Sequence, residues 1–563
     1  MPATIEATEL QLLDVFSDKY IFNIPPYQRP YAWTTEQTGE LLDDLLYAMG
    51  RIEQMNEAPP YFLGSIVIIK KEKENPLAEV IDGQQRLTTL TILLCVLREL
   101  SDEKIKRDLD EFIWQEGSEI KGTKDVFRVT PRERDRDFFQ KNVQKSGQLR
   151  NFVKKDTTKR PDSQQRMFEN ARHLWQELQD LDSKQRDRLA QFISQRCYLV
   201  VVSTSDQSSA YRIFAVMNDR GLDLSPTDIL KAEIIGAMAE SIRPKYTEAW
   251  EDIEEDIGRD NFRDIFTHIR MIYIQDKARG ELSEEFRDGV MSCLKNKNFI
   301  DDVLTPFADT YKKVTRADYK SEYGASAEEI KLSLYLKHLR RLDNSDWVPP
   351  AMAFFNSGPN NNDALKFVRR LERLAYGMFI MRVNINGRIN RYAQVLQAID
   401  TGNDEKLFGE ALELSPEEKG EILRVLDGPI YSLPRVPRPL LLRLDSLLAG
   451  AGARYDYPTI SIEHVLPQNP ALNSRWVMQF PDEEERAQWT HRLANLVLLS
   501  RRKNSQAQNY DFKRKKNEYF QQGDVTPFAL TTEVVNELEW TSQVLDQRQK
   551  RLIDRLKSEW HLD

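Results

Sequence analysis

The chain has 563 residues, of which 40% are hydrophobic and 30% charged, and its formal net charge is −9. These values are typical of a soluble globular protein of two to four domains, and the acidic total argues against tight, non-specific DNA binding, although a local basic patch stays possible. The three cysteines lie far apart without a CxxC pair, which argues against a disulfide framework and a cysteine-ligated zinc site.

The N-terminal segment MPATIEATELQLLDVF lacks a basic stretch followed by an apolar one, so we expect no signal peptide. The most apolar run, LTTLTILLCVL at 87–97, is too short to span a bilayer. We therefore expect no membrane segment and a location in a reducing cytoplasm.

The first region, roughly residues 1–240, mixes strand and helix patterns. Short apolar or β-branched runs predict four strands: YIFNIP at 20–25, YFLGSIVIIK at 61–70, LAEVI at 77–81 and CYLVVVST at 197–204. A charged turn joins the second to the third, which predicts a hairpin. Two helices are predicted: an amphipathic one with a buried face that begins at Gln84, and one with Ser225 as N-cap and Pro226 at its first position.

The string IDGQQRLTTL at 81–90 predicts a turn between a strand and a helix that could bind an anion. Gly83 permits a tight turn and a close approach of a ligand to the backbone, and the free N–H groups at a helix start attract phosphate. Arg86 could add a two-pronged phosphate contact, and Asp82 could hold Mg²⁺ or orient Arg86. Gln84 and Gln85 could hydrogen-bond a base, a sugar or a water.

Two further strings extend this candidate nucleotide site. In IPPYQRPYAW at 24–33, aromatic residues beside an arginine suit stacking on a base with a phosphate nearby. In IFAVMNDRGLDLSPTDILK at 213–231, polar residues lie in a turn between two helices. Each string alone is also compatible with an ordinary packed corner or turn. The candidate nucleotide residues from these strings are Tyr27, Gln28, Arg29, Asn218 and Arg220.

The second region, roughly 241–430, has the spacing of helices with buried apolar faces and contains no pattern typical of a catalytic cluster. The third region, 431–563, ends in TTEVVNELEWTSQVLDQRQKRLIDRLKSEW, which predicts one long helix capped by Thr531 or Thr532. Its apolar residues fall on one face that could pack on the same chain or on a second subunit: Val534, Leu538, Leu545, Leu552 and Leu556.

The stretch SIEHVLPQNP in the third region contains one of only 6 histidines. Strands over 459–467 and 493–499, followed by a helix over 503–518 that opens near Lys503 and Asn504, would give the order strand, strand, helix of a ββα-metal finger.

Phosphodiester hydrolysis needs a base and a cation, and this finger offers residues for both. His464 could be the base, because a neutral imidazole accepts a proton near pH 7. Glu463, His464 and Asn504 could hold a divalent metal, and Asn495 could accept a hydrogen bond from one ring nitrogen of His464.

Residues 501–516 carry seven Lys/Arg against one Asp, in contrast to the acidic chain. Such a run suits the DNA backbone. The candidate DNA-binding residues are Arg501, Arg502, Lys503, Lys513, Arg514, Lys515 and Lys516.

IEHVLPQNP, followed by HRLANLVLLSRRKNSQAQNYDFKRKK, resembles the HNH (His-Me finger) nucleases. The resemblance implies that His464, Asn495 and Asn504 occupy the three motif positions, with Glu463 where the family usually has Asp or Glu. Many members carry zinc-binding CxxC knuckles, which this chain lacks, so packing alone must hold the finger together.

Taken together, IPPYQRPYAW, DGQQR and NDRGLDLSPTDILK resemble the N-terminal domain of the GmrSD-type family. That family joins a ParB/sulfiredoxin-like domain to a C-terminal HNH nuclease. The resemblance implies a bacterial type IV, modification-dependent restriction enzyme, whose front domain binds or hydrolyses a nucleoside triphosphate (ATP, GTP, UTP or CTP) and senses DNA modification. Its rear domain would cut double-stranded modified phage DNA with Mg²⁺ or Mn²⁺.

The expected fold is therefore an α+β multidomain chain. It would comprise a ParB/sulfiredoxin-like mixed domain over 1–240, a helical region over 241–430 and a ββα-metal (HNH) nuclease domain over 431–563 with a long terminal helix. A homodimer is expected, since two fingers are needed to cut both strands at once. Two alternatives stay open: a nucleotide-switched DNA-binding scaffold whose finger does not cut, and an abortive-infection nuclease that acts on RNA or host DNA.

Overall fold

The structure is a computed structural model. The part of the chain that it describes comprises residues 5–50, 55, 58–72, 74–120, 122–154, 160–205, 210, 226–294, 297–317, 326–450, 455, 457, 459–500, 509–520 and 528–563. The chain divides into two compact units, residues 1–251 and 252–563.

The first unit is built on a mixed six-stranded sheet with the order β1-β8-β3-β4-β2-β7. The pairs β1–β8 and β3–β4 are antiparallel, whereas β3–β8, β2–β4 and β2–β7 are parallel. A separate antiparallel pair is formed by β5 and β6. The strands are β1 (Glu6–Gln11), β2 (Ile21–Asn23), β3 (Tyr61–Ile69), β4 (Leu77–Asp82), β5 (Trp114–Gln115), β6 (Val126–Phe127), β7 (Val129–Thr130) and β8 (Cys197–Thr204).

All four strands predicted for this region are present, as β2, β3, β4 and β8, and the predicted hairpin is the antiparallel pair β3–β4. The apolar side chains of these strands form one core with the helices that cover the sheet. The helices are Leu12–Val15, Thr35–Gly50, Gln84–Leu100, Glu103–Ile113, Glu133–Phe139, Leu149–Phe152, Asp162–Gln179, Ser183–Arg196, Pro226–Gly236 and Arg243–Ile257.

The helix Gln84–Leu100 begins at Gln84 as predicted, but it is buried on every side along its middle and not on one face alone. Its hydroxyl groups bond within the unit, which removes the cost of burying them. Thr91 Oγ1 donates to the carbonyl of Leu87 at 2.7 Å, and Thr89 Oγ1 lies 2.7 Å from the hydroxyl of Tyr31. This helix is therefore a rigid central element, and the turn at its start is held firmly.

The described residues between 259 and 450 are helical or in turns, as predicted for the middle region. Within the described residues, no helix is both long and apolar enough to cross a membrane. The α-helices of the second unit are Arg259–Ile274, Leu282–Glu285, Thr305–Arg316, Ala327–Leu339, Val348–Asn356, Asn361–Ile380, Ile385–Thr401, Pro416–Leu426, Pro437–Ala449, Arg475–Gln479, Glu483–Thr490, Phe512–Arg514, Ala529–Asn536 and Ser542–Trp560.

A two-stranded antiparallel ladder near the C-terminus joins β9 (Ser461–His464) to β10 (Leu496–Leu499). Both strands are shorter than predicted. The first residues of the predicted helix over 503–518 lie outside the described residues. The described helix begins at Phe512, where the carboxylate of Asp511 caps it by accepting from the N–H of Arg514 at 3.0 Å. A turn of π-helix continues it from Lys515 to Phe520.

The single long terminal helix predicted from the sequence is wrong, because the chain breaks between Ala529–Asn536 and Ser542–Trp560. The break carries Trp540 into the core, where its side chain is fully buried. Thr541, and neither of the expected threonines, caps the second helix. Leu538 falls in the break and is 86% exposed, whereas the other residues of the predicted apolar face are buried.

The mixed α+β class predicted from the sequence is confirmed by the sheet and the helices. The three-way division at 240 and 430 stays a prediction, as do the ParB/sulfiredoxin-like and ββα-metal assignments.

Candidate active site and nucleotide site

His464 is the last residue of β9 and pairs with Leu496, the first residue of β10. The imidazole therefore lies at the end of the ladder, where the chain leaves the strand towards Pro467. Val465 and Leu466, which follow, are fully buried in the core of this domain. Their burial anchors the backbone on the C-terminal side of His464.

Asn495 clamps the segment that follows His464. Its Oδ1 accepts from the N–H of Leu466 at 2.7 Å, and its Nδ2 donates to the carbonyls of Leu466 at 2.9 Å and Thr490 at 3.0 Å. Its backbone carbonyl accepts from the N–H of Val465 at 2.9 Å. The amide is fully buried, and it bonds to the backbone and to the indole N–H of Trp540. The expected bond to the ring of His464 is thus replaced by control of the backbone beside it.

Glu463 points into the interior of the domain. Its side chain is 3% exposed, lies 3.7 Å from the ammonium group of Lys515 and accepts from the hydroxyl of Tyr519 at 3.3 Å. Lys515 Nζ also donates to the carbonyl of His464 at 2.6 Å. Because a buried lysine neutralises this carboxylate, its placement does not support the expected role of Glu463 as a metal ligand.

Aromatic rings surround the imidazole of His464. The ring of Tyr431 meets it edge-on at a centroid distance of 4.2 Å, and the ring of His491 lies at 5.5 Å. His491 in turn stacks on Tyr431 at 5.6 Å and an interplanar angle of 6°. Burial lowers the pKa of His491, so its imidazole is neutral near pH 7 and adds no charge beside His464.

Gln468 lies across the imidazole of His464. Its Nε2 is 3.3 Å from Nδ1 and 3.2 Å from Nε2 of the ring, so the amide can donate to whichever nitrogen carries no proton. Sequence reasoning missed Gln468 and Tyr431. Gln468 stands within the motif and could have been noticed, whereas nothing local in YSLPRVPRP marks Tyr431 as a neighbour of His464.

Several predicted residues lie outside the described residues: Asn504, Arg501, Arg502 and Lys503 of the finger, and Asn218 and Arg220 of the front region. Among the described residues, no group of three or more histidine, cysteine or acidic side chains could hold a metal ion. Metal binding therefore stays a prediction.

The described part of the basic run is not uniformly on the surface. Lys513 and Arg514 are exposed, and the guanidinium of Arg514 lies 3.7 Å from the ring centroid of Tyr510. Lys516 is partly buried and donates to the carbonyl of Glu537 at 2.8 Å. Lys515 is fully buried, so it lies in the interior and not on the surface where a DNA contact requires it.

In the first unit, Gly83 forms the predicted tight turn between β4 and the helix that begins at Gln84. Its φ of +89° is in the left-handed region, and an added Cβ would come within 2.3 Å of the side chain of Ile66. Only glycine meets both requirements without strain.

The guanidinium of Arg86 lies over Gly64 of β3, where an added Cβ would meet it at 2.9 Å. Its Nη1 donates to the carbonyl of Ser65 at 2.9 Å. Burial raises the pKa of the neighbouring carboxyl of Asp82, while the N–H of Gly83 and the cations Arg86 and Arg29 oppose that rise. The structure thus brings the acid and the arginine of DGQQR together at the start of a helix.

The two glutamines of DGQQR hold the loop 24–33 against this turn. Gln85 Oε1 accepts from the N–H of Ala32 at 2.7 Å, and its Nε2 donates to the carbonyl of Pro30 at 3.0 Å. Gln84 Nε2 donates to Gln28 Oε1 at 3.3 Å. With both ends of its amide engaged, Gln85 connects two motifs rather than offering a group to a ligand. Tyr27, which precedes Gln28 in the sequence, is also buried, with a relative exposure of 3%.

A buried ionic cluster links these motifs to the helix Pro226–Gly236. Glu251 pairs with Arg132 and accepts from Lys231 Nζ at 2.9 Å. Arg132 also donates to the carbonyl of Gln28 at 3.5 Å. Arg132 and Glu251 line a cavity of about 330 Å³ beside Pro26. Lys231 belongs to the third string predicted for the nucleotide site, so the described end of that string is linked to Gln28 through Glu251 and Arg132.

Comparisons with known proteins agree with this two-part arrangement. Residues 12–235 match the family model for the GmrSD restriction endonuclease, N-terminal domain, and residues 430–555 match the model for the GmrSD restriction endonucleases, C-terminal domain. A search of curated proteins found no match. The two models describe the N-terminal and the C-terminal domain of one family, and together they cover more than half of the chain. The protein therefore belongs to the GmrSD restriction endonuclease family.

Proposed function

We propose that this protein is a nucleoside-triphosphate-regulated, divalent-metal-dependent HNH endonuclease that restricts modified phage DNA in bacteria. Membership of a restriction endonuclease family supports the nuclease activity and DNA as the partner. The proposal adds the residues that act, the metal, the nucleotide and the modified substrate.

The observation that carries the proposal is the placement of His464. Asn495 fixes the chain after it, Lys515 holds its carbonyl, and the neutral ring of His491 lies beside its imidazole. A histidine positioned in this way can take a proton from water as the water attacks a phosphodiester. We assign the role of general base to His464 and a positioning role to Asn495.

The metal is proposed with a smaller ligand set than the sequence predicts. Glu463 does not fit, because ligation would require breaking its buried pair with Lys515. His464 and Asn504 are the remaining candidates, and Mg²⁺ needs only one or two protein ligands. When bound, Mg²⁺ or Mn²⁺ would stabilise negative charge on the phosphate and on the leaving group.

The nucleotide site is proposed at the DGQQR turn. Arg86, beside the N-terminus of the helix that begins at Gln84, suits the phosphates of a nucleoside triphosphate. Through Gln85 and Gln28, occupation of this site would be transmitted to the loop 24–33. We also propose that the enzyme acts as a homodimer, since one finger per strand allows a double-strand break.

A plasmid assay tests the proposed function. Purified protein is incubated with Mg²⁺ or Mn²⁺, with and without each nucleoside triphosphate, on plasmids with modified or unmodified cytosine. We expect cleavage of the modified plasmid that requires metal and nucleotide, and none by His464→Ala. Equal cleavage by His464→Ala would remove the assigned base, whereas preferential degradation of RNA would favour the abortive-infection alternative.

A further inference from the structure

A cleft of about 700 Å³ lies among helices of the second unit. It lies among the helices Ala327–Leu339, Asn361–Ile380 and Pro437–Ala449 and the end of Ser542–Trp560. The cations that line it are Lys331, Lys366, Arg369, Arg370, Arg373 and Arg443. Glu559 is the one carboxylate among the lining residues.

Salt bridges do not cancel the positive charge of this cleft. Arg443 is paired with Glu372 at 2.6 Å and Glu559 at 2.8 Å. Glu413 lies 2.6 Å from Arg373 and 3.6 Å from Arg370. Arg369 lies 3.9 Å from Glu559. All four arginines thus have a carboxylate partner, but three carboxylates face six cations, so a net positive charge remains among the described residues. In a chain of net charge −9, such an excess is a local feature and does not follow from overall composition.

Four of the cations form a row along one face of the helix Asn361–Ile380. Lys366, Arg369, Arg370 and Arg373 recur at steps of three and four residues, which places them side by side over about 10 Å. Lys366 is exposed and lies 3.8 Å from the ring centroid of Phe408. Lys366 and the half-buried Arg369 and Arg370 can face several phosphates, because duplex DNA carries one charge per about 1.7 Å of its axis. Arg373 is buried and paired with Glu413, so it contributes charge but no surface contact.

The last helix of the chain connects this cleft to the finger that carries His464. At its C-terminal end, Glu559 lines the cleft and accepts from Tyr335 at 2.6 Å. About three turns earlier in the same helix, Gln549 Oε1 accepts from the N–H of Ala494, the neighbour of Asn495, at 2.9 Å. Arg548 donates to the carbonyl of Leu530 at 2.9 Å and also contacts Ala494. One continuous helix thus holds the cleft and the candidate active site in a fixed relation.

We propose that this cleft binds the phosphate backbone of the DNA on which the finger acts. The inference rests on the proposed function and adds a second contact site to it, so the helical region would orient the substrate and not merely separate two domains. Lys331 and Lys366 are the residues to test, because both line the cleft and are exposed, so their replacement should not disturb the buried ion pairs.

The test compares two variants in a His464→Ala background, which allows binding without cleavage. One carries Lys331→Ala with Lys366→Ala. The matched control carries Lys313→Ala with Lys337→Ala, which removes the same charge from exposed positions outside the cleft. Binding of a fluorescent DNA duplex is measured between about 50 and 200 mM salt. We expect the cleft variant to bind about tenfold more weakly and to lower the salt slope by about two, with the control unchanged.

Equal DNA affinity and salt slope in the cleft variant and the control would overturn the proposal. Loss of nucleoside triphosphate binding by the cleft variant, with DNA binding intact, would also overturn it, since the cleft would then hold a free nucleotide. Lysine labelling of the His464→Ala protein gives a second readout, in which bound DNA should protect Lys331 and Lys366 but not Lys313. Cleavage by the wild-type protein is assayed in parallel. Absence of cleavage contradicts the proposed function, whereas cleavage with unaltered binding by the cleft variant contradicts this inference alone.

Discussion

The side-chain amide of Asn495 forms two hydrogen bonds with the backbone of Leu466, accepting from its N–H at 2.7 Å and donating to its carbonyl at 2.9 Å. The two bonds replace those that a neighbouring strand would make to Leu466, just beyond the end of the ladder of β9 and β10. These bonds fix the chain just after His464 through its backbone and not through its imidazole.

Asn495→Ala should lower both stability and cleavage. Removing the amide leaves the N–H and carbonyl of Leu466 buried without these partners, at a cost of about 1–3 kcal/mol for each group. Asn384→Ala, which removes an exposed helix cap, serves as the control. Melting temperature and cleavage rate are measured for each. A folded Asn495→Ala protein with wild-type cleavage would contradict the positioning role.

Glu463 and Lys515 should behave as a structural pair. Glu463→Gln leaves the lysine buried without its countercharge and should destabilise the protein by about 3–5 kcal/mol. Adding Lys515→Met should recover most of the lost stability but only part of the cleavage, because the bond from Lys515 to the carbonyl of His464 is lost as well. If the double variant is stable but requires far more Mg²⁺ than the wild type, Glu463 is a metal ligand after all.

Substitutions of Arg86 and Gln85, two neighbouring residues of the DGQQR turn, should have different effects on nucleotide binding and stability. Arg86→Ala should leave the fold intact and abolish the nucleotide response of cleavage, because its assigned partner is a phosphate. Gln85→Ala should lower the melting temperature, because the loop bonds to Ala32 and Pro30 are lost. Nucleotide binding and thermal unfolding are measured on both. A normal nucleotide response in Arg86→Ala would show that the site lies elsewhere.

Acid should destabilise the protein through His268. Burial lowers the pKa of this histidine to about 4, below the value of about 6.5 expected in the unfolded chain. Its neutral form therefore contributes full stability above pH 6.5, and the contribution is lost as the pH falls from about 6.5 to about 4, costing about 2–3 kcal/mol near pH 4.5. His268→Gln, which cannot take up this proton, should show a smaller fall in melting temperature between neutral pH and pH 4.5. An equal fall in both proteins would contradict this account.

The elements around the motifs could be predicted from local sequence. Two examples are the hairpin of β3 and β4 and the glycine turn at Gly83, each of which depends on residues close together in the chain. The strand that carries His464 is also predicted, although it ends at His464 and not at residue 467 as expected. In these places, the hydrophobic pattern and the conformation that each residue prefers agree with the final fold.

The contacts around His464 could not be predicted, because they join residues far apart in the sequence. Lys515 belongs to a basic run that is typical of a solvated surface, yet Glu463 draws it into the core. Trp540 interrupts a helical pattern because its indole reaches Asn495, 3.3 Å away. Tyr431 contacts His464 from a proline-rich segment without a catalytic pattern. In each case a tertiary contact outweighs the local preference.

The most direct test of the account is a plaque assay on bacteria that express the wild-type protein or His464→Ala at equal levels. Phages with modified and unmodified cytosine are plated, and His173→Ala, a substitution in the other unit, controls for the loss of a histidine. We predict that the wild type and His173→Ala restrict the modified phage, that His464→Ala does not, and that the unmodified phage plates equally on all three. Restriction of the modified phage by His464→Ala at the wild-type level would contradict the central claim that His464 carries the nuclease chemistry.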